Sequence, residues 1–69
     1  MEKLAAISPR VLRLGDVCTK TGLKRSTIYV LMSKGTFPQS FALVPGGRAK
    51  GWLEASVDEY LKQRKAESL

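Results

Sequence analysis

The side chains that could do chemistry in this chain are mostly cations and hydroxyl groups, not the residues of an active site. The sequence has no histidine, and Cys18 is its single cysteine. A four-ligand zinc site, a His-activated nucleophile and an internal disulfide are therefore excluded. Asp58 and Glu59 are adjacent, but they stand at the start of a predicted helix, where carboxylates complement the helix dipole. We therefore predict no enzyme, no metal and no cofactor.

The positive charge lies in the centre of the sequence. The net charge is +6, from 12 Lys and Arg against 6 Asp and Glu. No acidic residue occurs between Asp16 and Glu54, whereas the two flanks carry equal numbers of acidic and basic residues. The central cations are Lys20, Lys24, Arg25, Lys34, Arg48 and Lys50. A domain that lays one surface on a polyanion has this distribution, although basic residues can also serve only to solvate a small domain.

Two helical patterns joined by a short turn make up the first half of the chain. The first follows the i, i+3, i+4, i+7 spacing of one helix face with Leu14, Val17, Cys18 and Thr21. The second pattern places Ile28, Leu31 and Met32 on one helix face. Gly22 and Gly35 are suited to end these helices, and Leu23 fills the turn between them. This is the layout of a helix-turn-helix.

A β-hairpin is predicted next. Residues 41–44 and 49–53 have strand composition and flank a Pro-Gly-Gly turn signal. Arg48 and Lys50 would then lie at or near the hairpin tip. The Gly46-Gly47 pair lacks the spacing of a phosphate-binding loop and is assigned to the turn.

A third helix is predicted over about residues 55–65. Ser56 and Glu59 have the spacing of a capping box, and a start two residues earlier is the alternative. Trp52 is the largest expected core residue, and three further aromatic residues are expected to pack with it: Phe37, Phe41 and Tyr60. The predicted fold is α+β, a small winged helix-turn-helix with three helices and a two-stranded β-hairpin wing. Its predicted parts are an N-terminal arm (1–11), the winged helix-turn-helix domain (12–65) and a C-terminal tail (66–69).

The outward face of the second helix is the strongest candidate binding surface. It carries hydrogen-bond donors and a cation at each end, and it lacks carboxylates. Such side chains hold phosphates and contact base edges. With the basic residues beside this helix and on the hairpin, the predicted DNA contacts are Lys20, Lys24, Arg25, Ser26, Thr27, Tyr29, Ser33, Lys34, Arg48 and Lys50.

Several short motifs resemble one family. They are RLGDV at 13–17, TGLKRSTIY at 21–29, LM at 31–32, GTFP at 35–38, GW at 51–52 and VDEYL at 57–61. In this order they are similar to the AlpA family over residues 12–64. AlpA proteins are prophage-encoded regulators and excisionase-like proteins with a MerR-like winged-helix fold. The resemblance implies sequence-specific binding of double-stranded DNA, with the second helix in the major groove and the hairpin against a neighbouring minor groove or phosphate row.

Two positions depart from the family pattern. Lys24 stands where serine is common and cannot accept the N–H bonds of the helix start. Val30 stands where arginine is frequent, which replaces a polar contact by an apolar one, for example to a thymine methyl group. Both departures concern the DNA sequence recognised and leave the expected fold intact.

Three roles stay open from the sequence. The first is a transcriptional regulator of a prophage or other mobile element, and the second is a recombination directionality factor that bends attachment-site DNA for an integrase. The remoter third is a protein-interaction module that docks on an integrase without DNA contact. Because the predicted third helix is short and uses its apolar residues in the core, we expect a monomer in solution, with neighbouring copies cooperating on DNA. We also expect a cytoplasmic location, since neither a signal-peptide pattern nor a membrane-spanning apolar run is present.

Overall fold

The computed structural model describes residues 10–68 of the chain, which form three helices and a three-stranded antiparallel sheet. The strands are β1 (Val11–Leu12), β2 (Phe41–Ala42) and β3 (Lys50–Leu53). The helices are α1 (Leu14–Thr21), α2 (Arg25–Ser33) and α3 (Glu54–Glu67). The predicted fold class, a small α+β winged helix-turn-helix, is confirmed. Within the described residues, no helix has the length and apolar composition needed to cross a membrane.

The sheet has the order β1-β3-β2 and is one strand larger than the predicted wing. The hairpin of β2 and β3 is present, with Phe41 opposite Gly51 and Ala42 opposite Lys50. Strand β1 pairs with the other side of β3 and places Val11 in the sheet, not in an N-terminal arm. Two residues are too few to show a strand period, and their partner lies far along the chain, so no local pattern predicts β1. The rest of the predicted arm, residues 1–9, lies outside the described residues, as does residue 69 of the tail.

Glycine ends both helices of the helix-turn-helix, as predicted. Gly22 has φ 77°, and its N–H donates to the Cys18 carbonyl oxygen at 2.8 Å. Gly35 has φ 75° after the last residue of α2. Such positive φ values favour glycine because it has no Cβ. In the turn, the Leu23 N–H donates to the Thr21 hydroxyl at 3.2 Å, and the Leu23 side chain packs on the core.

The core lies where the three helices meet one face of the sheet. Its buried members are Leu12, Val17, Ile28, Phe37, Trp52 and Val57. The Trp52 indole N–H donates to the Pro38 carbonyl oxygen at 2.9 Å, which satisfies its buried polar atom. Phe41, by contrast, is 40% exposed, and its expected place in the core is wrong. It lies opposite Gly51, and adjacent residues of β3 face opposite sides of the sheet, so Phe41 lies on the side away from Trp52.

Helix α3 begins at Glu54 and extends to Glu67, which is longer than predicted at both ends. Ser56 is therefore in the first turn, and the expected capping box at this residue is wrong. The alternative of an earlier start, which leaves Ser56 inside the helix, agrees with the structure: the N-cap is Leu53, and this cap has no side-chain hydrogen bond. The Glu54 N–H instead donates to the Arg10 carbonyl oxygen at 2.7 Å, which ties the helix start to the chain before β1.

Candidate nucleic-acid interface

Helix α2 presents one face to the core and the opposite face to solvent. Ile28 is fully buried, whereas Tyr29 is 54% exposed and Val30 is 49% exposed. The remaining predicted contacts of this helix and its caps are exposed, except for the half-buried Thr27: Lys24, Arg25, Ser26, Ser33 and Lys34. The structure therefore brings the predicted donors of α2 together on one accessible surface.

The N-terminus of α2 has no side-chain cap. Its N-cap residue is Lys24, which forms no capping hydrogen bond, and the first turn contains no acidic residue. A helix start usually carries a carboxylate or a hydroxyl acceptor, since its N–H groups and the helix dipole favour negative charge. Here a lysine and Arg25 occupy these positions. The start of α2 is consequently electropositive both in its backbone and in its side chains.

A cleft connects α2 to the wing. Its volume is about 300 Å³, and it is lined by Arg13, Leu14, Gly15, Tyr29, Arg48, Lys50 and Trp52. Three predicted contacts, Tyr29, Arg48 and Lys50, thus come from different parts of the chain to a single site. Their position allows one bound polyanion to touch both α2 and the wing.

Arg13 belongs to this cleft and was missed by the sequence analysis. Its Nε donates to the Lys50 carbonyl oxygen at 3.1 Å, and its backbone N–H donates to the Asp16 carboxylate at 3.1 Å. In the sequence it falls in the flank where acidic and basic residues cancel. Only the tertiary fold, which brings β3 beside the start of α1, places it near Lys50. No local signal could have identified it.

Every ion pair of residues 10–68 has its carboxylate on α3. Glu54 accepts from Lys20 at 3.2 Å and lies 3.9 Å from Arg10, while Arg64 pairs with Glu67. None of these pairs includes the cations of α2, its caps or the cleft: Arg13, Lys24, Arg25, Lys34, Arg48 and Lys50. With the exception of Lys20, the cations of the acid-free segment therefore have no ion-pair partner among the described residues.

Lys20 differs from the other central cations. Its Nζ lies 2.9 Å from an Asp58 oxygen and 3.2 Å from a Glu54 oxygen. These hydrogen bonds, the one to Asp58 first, raise the pKa of Lys20 above its ordinary value of 10.5. In the folded chain Lys20 therefore already has two carboxylate partners. The contact itself stays a prediction, and we leave Lys20 out of the interface proposed below.

Comparison with known proteins assigns the chain to a family. Residues 10–65 match the family model described as Prophage CP4-57 regulatory protein (AlpA). The chain belongs to the AlpA family. The resemblance seen in the sequence motifs is thus confirmed, and the range shared with this family includes every candidate residue of the interface.

Two relatives illustrate the similarity. The chain is 43% identical over 61 residues to the DNA-binding transcriptional activator AlpA of Escherichia coli (strain K12), which covers 80% of this chain and 84% of that protein. It is 42% identical over 55 residues to the uncharacterized protein ORF88 of Enterobacteria phage P4, covering 80% of this chain and 60% of that protein. No solved structure gives a significant match.

Proposed function

We propose that this AlpA-family chain is a sequence-specific, double-stranded DNA-binding transcriptional regulator of a prophage or other mobile element. The observation that carries the proposal is the surface of α2, its caps and the cleft, whose cations form no ion pairs among residues 10–68. The name of the Escherichia coli relative, a DNA-binding transcriptional activator, supports the same function. The function is binding, and we expect no catalysis.

Helix α2 is the element that enters the major groove in this proposal. A major groove admits one α-helix, and a helix-turn-helix inserts its second helix. The side chains of α2 that suit base edges are exposed, except for the half-buried Thr27: Arg25, Ser26, Thr27, Tyr29 and Ser33. The Ser33 hydroxyl donates to the Val30 carbonyl oxygen at 2.8 Å, so it offers DNA an acceptor. Val30 adds an exposed apolar side chain that fits a thymine methyl group. This mixture distinguishes α2 from a protein-docking helix, which would expose Leu, Ile or Phe.

Phosphates flank the groove and are held by the ends of α2. Lys24 and Lys34 are the exposed cap residues at its two ends. Because no side chain caps the start of α2 and its first turn has no carboxylate, a DNA phosphate is suited to accept from its N–H groups. These contacts position the helix, while the side chains between them read the sequence.

The wing reaches the next stretch of DNA backbone. Arg48 is exposed in the loop between β2 and β3, and Lys50 is the first residue of β3. Both line the cleft beside Tyr29, so they extend the basic surface beyond α2. Contacts at an adjacent minor groove or phosphate row follow from this placement.

One copy is too small to be the working unit in this proposal. A single module buries only about 600–1,000 Å² on DNA, which limits its specificity against competing genomic sites. The apolar residues of α3 pack in the core and leave no seam for a stable dimer: Val57, Tyr60 and Leu61. We therefore propose a monomer in solution that binds adjacent sites cooperatively. Light scattering of the free protein and gel shifts on DNA with one or two sites test this, and a stable free dimer would contradict it.

Footprinting on DNA that flanks the gene tests the regulatory function. We expect protection of a promoter by the wild-type protein, and no protection by a variant carrying Arg25→Ala and Tyr29→Ala. Lys65→Ala is the control, since Lys65 lies near the end of α3 and outside the proposed interface. Protection confined to an integrase attachment site would replace the proposed role by excision, and no protected site would contradict both roles.

A further inference from the structure

Arg13 is a cation of the cleft to which the proposed α2 and wing contacts give no role. It is the N-cap residue of α1, and it shares the cleft walls with Tyr29, Arg48 and Lys50. Three cations therefore surround a space of about 300 Å³ in which no carboxylate is a lining residue. Like charges held close together repel each other, and a bound anion would relieve that repulsion.

We propose that this cleft binds one phosphodiester group of the DNA backbone and that Arg13 is a direct phosphate ligand in it. The proposal rests on the proposed DNA-binding function and adds to it a defined phosphate site. Because the cleft lies between α2 and the wing, the phosphate it holds is the one between the major-groove contact and the wing contact.

The hydrogen bond from Arg13 to the Lys50 carbonyl oxygen orients the guanidinium for phosphate binding. With Nε donating to the Lys50 carbonyl oxygen, the planar group is held against β3, and its Nη groups form no ion pair within residues 10–68. A guanidinium binds phosphate through a pair of parallel N–H groups. Part of the ordering cost of the side chain is thus met before DNA arrives.

The cleft also has the space and the polar groups for a phosphate. Its 300 Å³ is far above the roughly 10–15 Å³ that one water molecule requires, so a phosphate and bound waters fit. Gly15 forms part of the wall, and even an added Cβ there would meet no atom within 4 Å. The Tyr29 hydroxyl, from α2, offers a further donor at the same site.

The first test is the salt dependence of DNA affinity for Arg13→Gln. One lost phosphate contact makes the log–log slope less steep by about 0.9 and lowers affinity about eightfold at 0.1 M salt, on specific and non-specific DNA alike. Lys62→Gln is the matched control, since it removes the same charge from an exposed position of α3. Equal slopes for Arg13→Gln and Lys62→Gln would overturn the proposal.

A second variant separates phosphate binding from support of the wing. Arg13→Lys keeps the charge but loses the planar group that bonds Lys50, so we expect it to retain most of the salt slope. If Arg13→Lys loses the slope as Arg13→Gln does, while thermal unfolding shows both folded, Arg13 acts by positioning β3 and the proposal is wrong.

Methylphosphonate substitution then locates the group. We expect one position at which removing the phosphate charge weakens DNA binding by the wild type but not by Arg13→Gln, and equal effects on both proteins at every position would contradict the site.

Inorganic phosphate at constant ionic strength should leave the Gly15 amide resonance unshifted, whereas a shift would indicate a site for the free anion. If DNA binds normally while Arg13→Gln behaves as the control, only this inference fails. If no DNA binds, the proposed function fails as well.

Discussion

The two charged faces of this domain both carry cations, but only one of them also carries carboxylates. On the face of α1 and α3, Lys20 and Arg10 lie against Glu54, and Lys20 also contacts Asp58. On the face of α2 and the cleft, none of the cations has an ion-pair partner among residues 10–68. The position of the carboxylates, more than the number of cations, therefore decides which face is suited to a polyanion.

Physical chemistry explains why such an arrangement is tolerated. An exposed ion pair contributes only about 0–1 kcal/mol to stability, so leaving the cations of α2 and the cleft unpaired costs the fold little. The gain appears on binding, because no internal pair has to be broken when a phosphate arrives. On the face of α1 and α3, which we call the paired face, phosphate binding is disfavoured, since a phosphate would compete with Glu54 and Asp58 for Lys20.

Substitution of Trp52 should have the largest effect, because the fold that positions both charged faces depends on this core residue. This residue is buried in the core, bonds the Pro38 carbonyl oxygen and also lines the cleft. Trp52→Ala should cost about 3–5 kcal/mol, which is most of the stability of so small a domain. Urea unfolding followed by circular dichroism measures the loss. Trp52→Phe, which keeps the ring but not the N–H, should lose less, and equal stability of Trp52→Ala and wild type would contradict the core described above.

Substitutions on the exposed face of α2 should have the next largest effect. Arg25→Ala and Tyr29→Ala should each weaken binding to the cognate site by about 1–3 kcal/mol and reduce discrimination against other sequences, as expected where a side chain touches a base edge. Competition binding with cognate and scrambled DNA gives both quantities. Lys65→Ala, on α3, serves as the control. Unchanged specificity in both α2 variants would move the reading surface away from α2.

The sequence was sufficient for the features that depend on local pattern. The apolar spacing of α1 and α2, and the glycines at positions 22 and 35, predicted the helix-turn-helix, and the Pro-Gly-Gly signal predicted the hairpin. The features it did not reveal all depend on long-range pairing. Strand β1 forms only against β3, Arg13 meets Lys50 only through the fold, and Lys20 finds its carboxylates on α3. The exposure of Phe41 likewise follows from its register opposite Gly51.

The smallest effect concerns the paired face and its response to pH. The partners of Lys20 raise its pKa in the folded state, so the stability they contribute is fully present below its ordinary value of 10.5 and is lost as the pH rises through the raised pKa. Lys20→Met removes this contribution. Urea unfolding from pH 7 to 12 should therefore show the difference between wild type and variant shrinking above pH 10.5. A difference that stays constant across that range would mean that the ion pairs do not contribute.

The salt dependence of DNA affinity, measured for the wild type and two triple variants, tests whether the cations of α2 and the cleft bind DNA phosphates. For the wild type we expect a log–log slope of about −4 to −6, because five or six cations of α2 and the cleft neutralise phosphates at about −0.9 each. Replacing Arg25, Arg48 and Lys50 by Gln should make the slope less steep by about 2.7. Replacing Arg10, Lys62 and Lys65 by Gln removes the same charge from exposed residues outside α2 and the cleft and should leave the slope unchanged. Equal slopes for the two triple variants, or a wild-type slope near zero, would contradict the account.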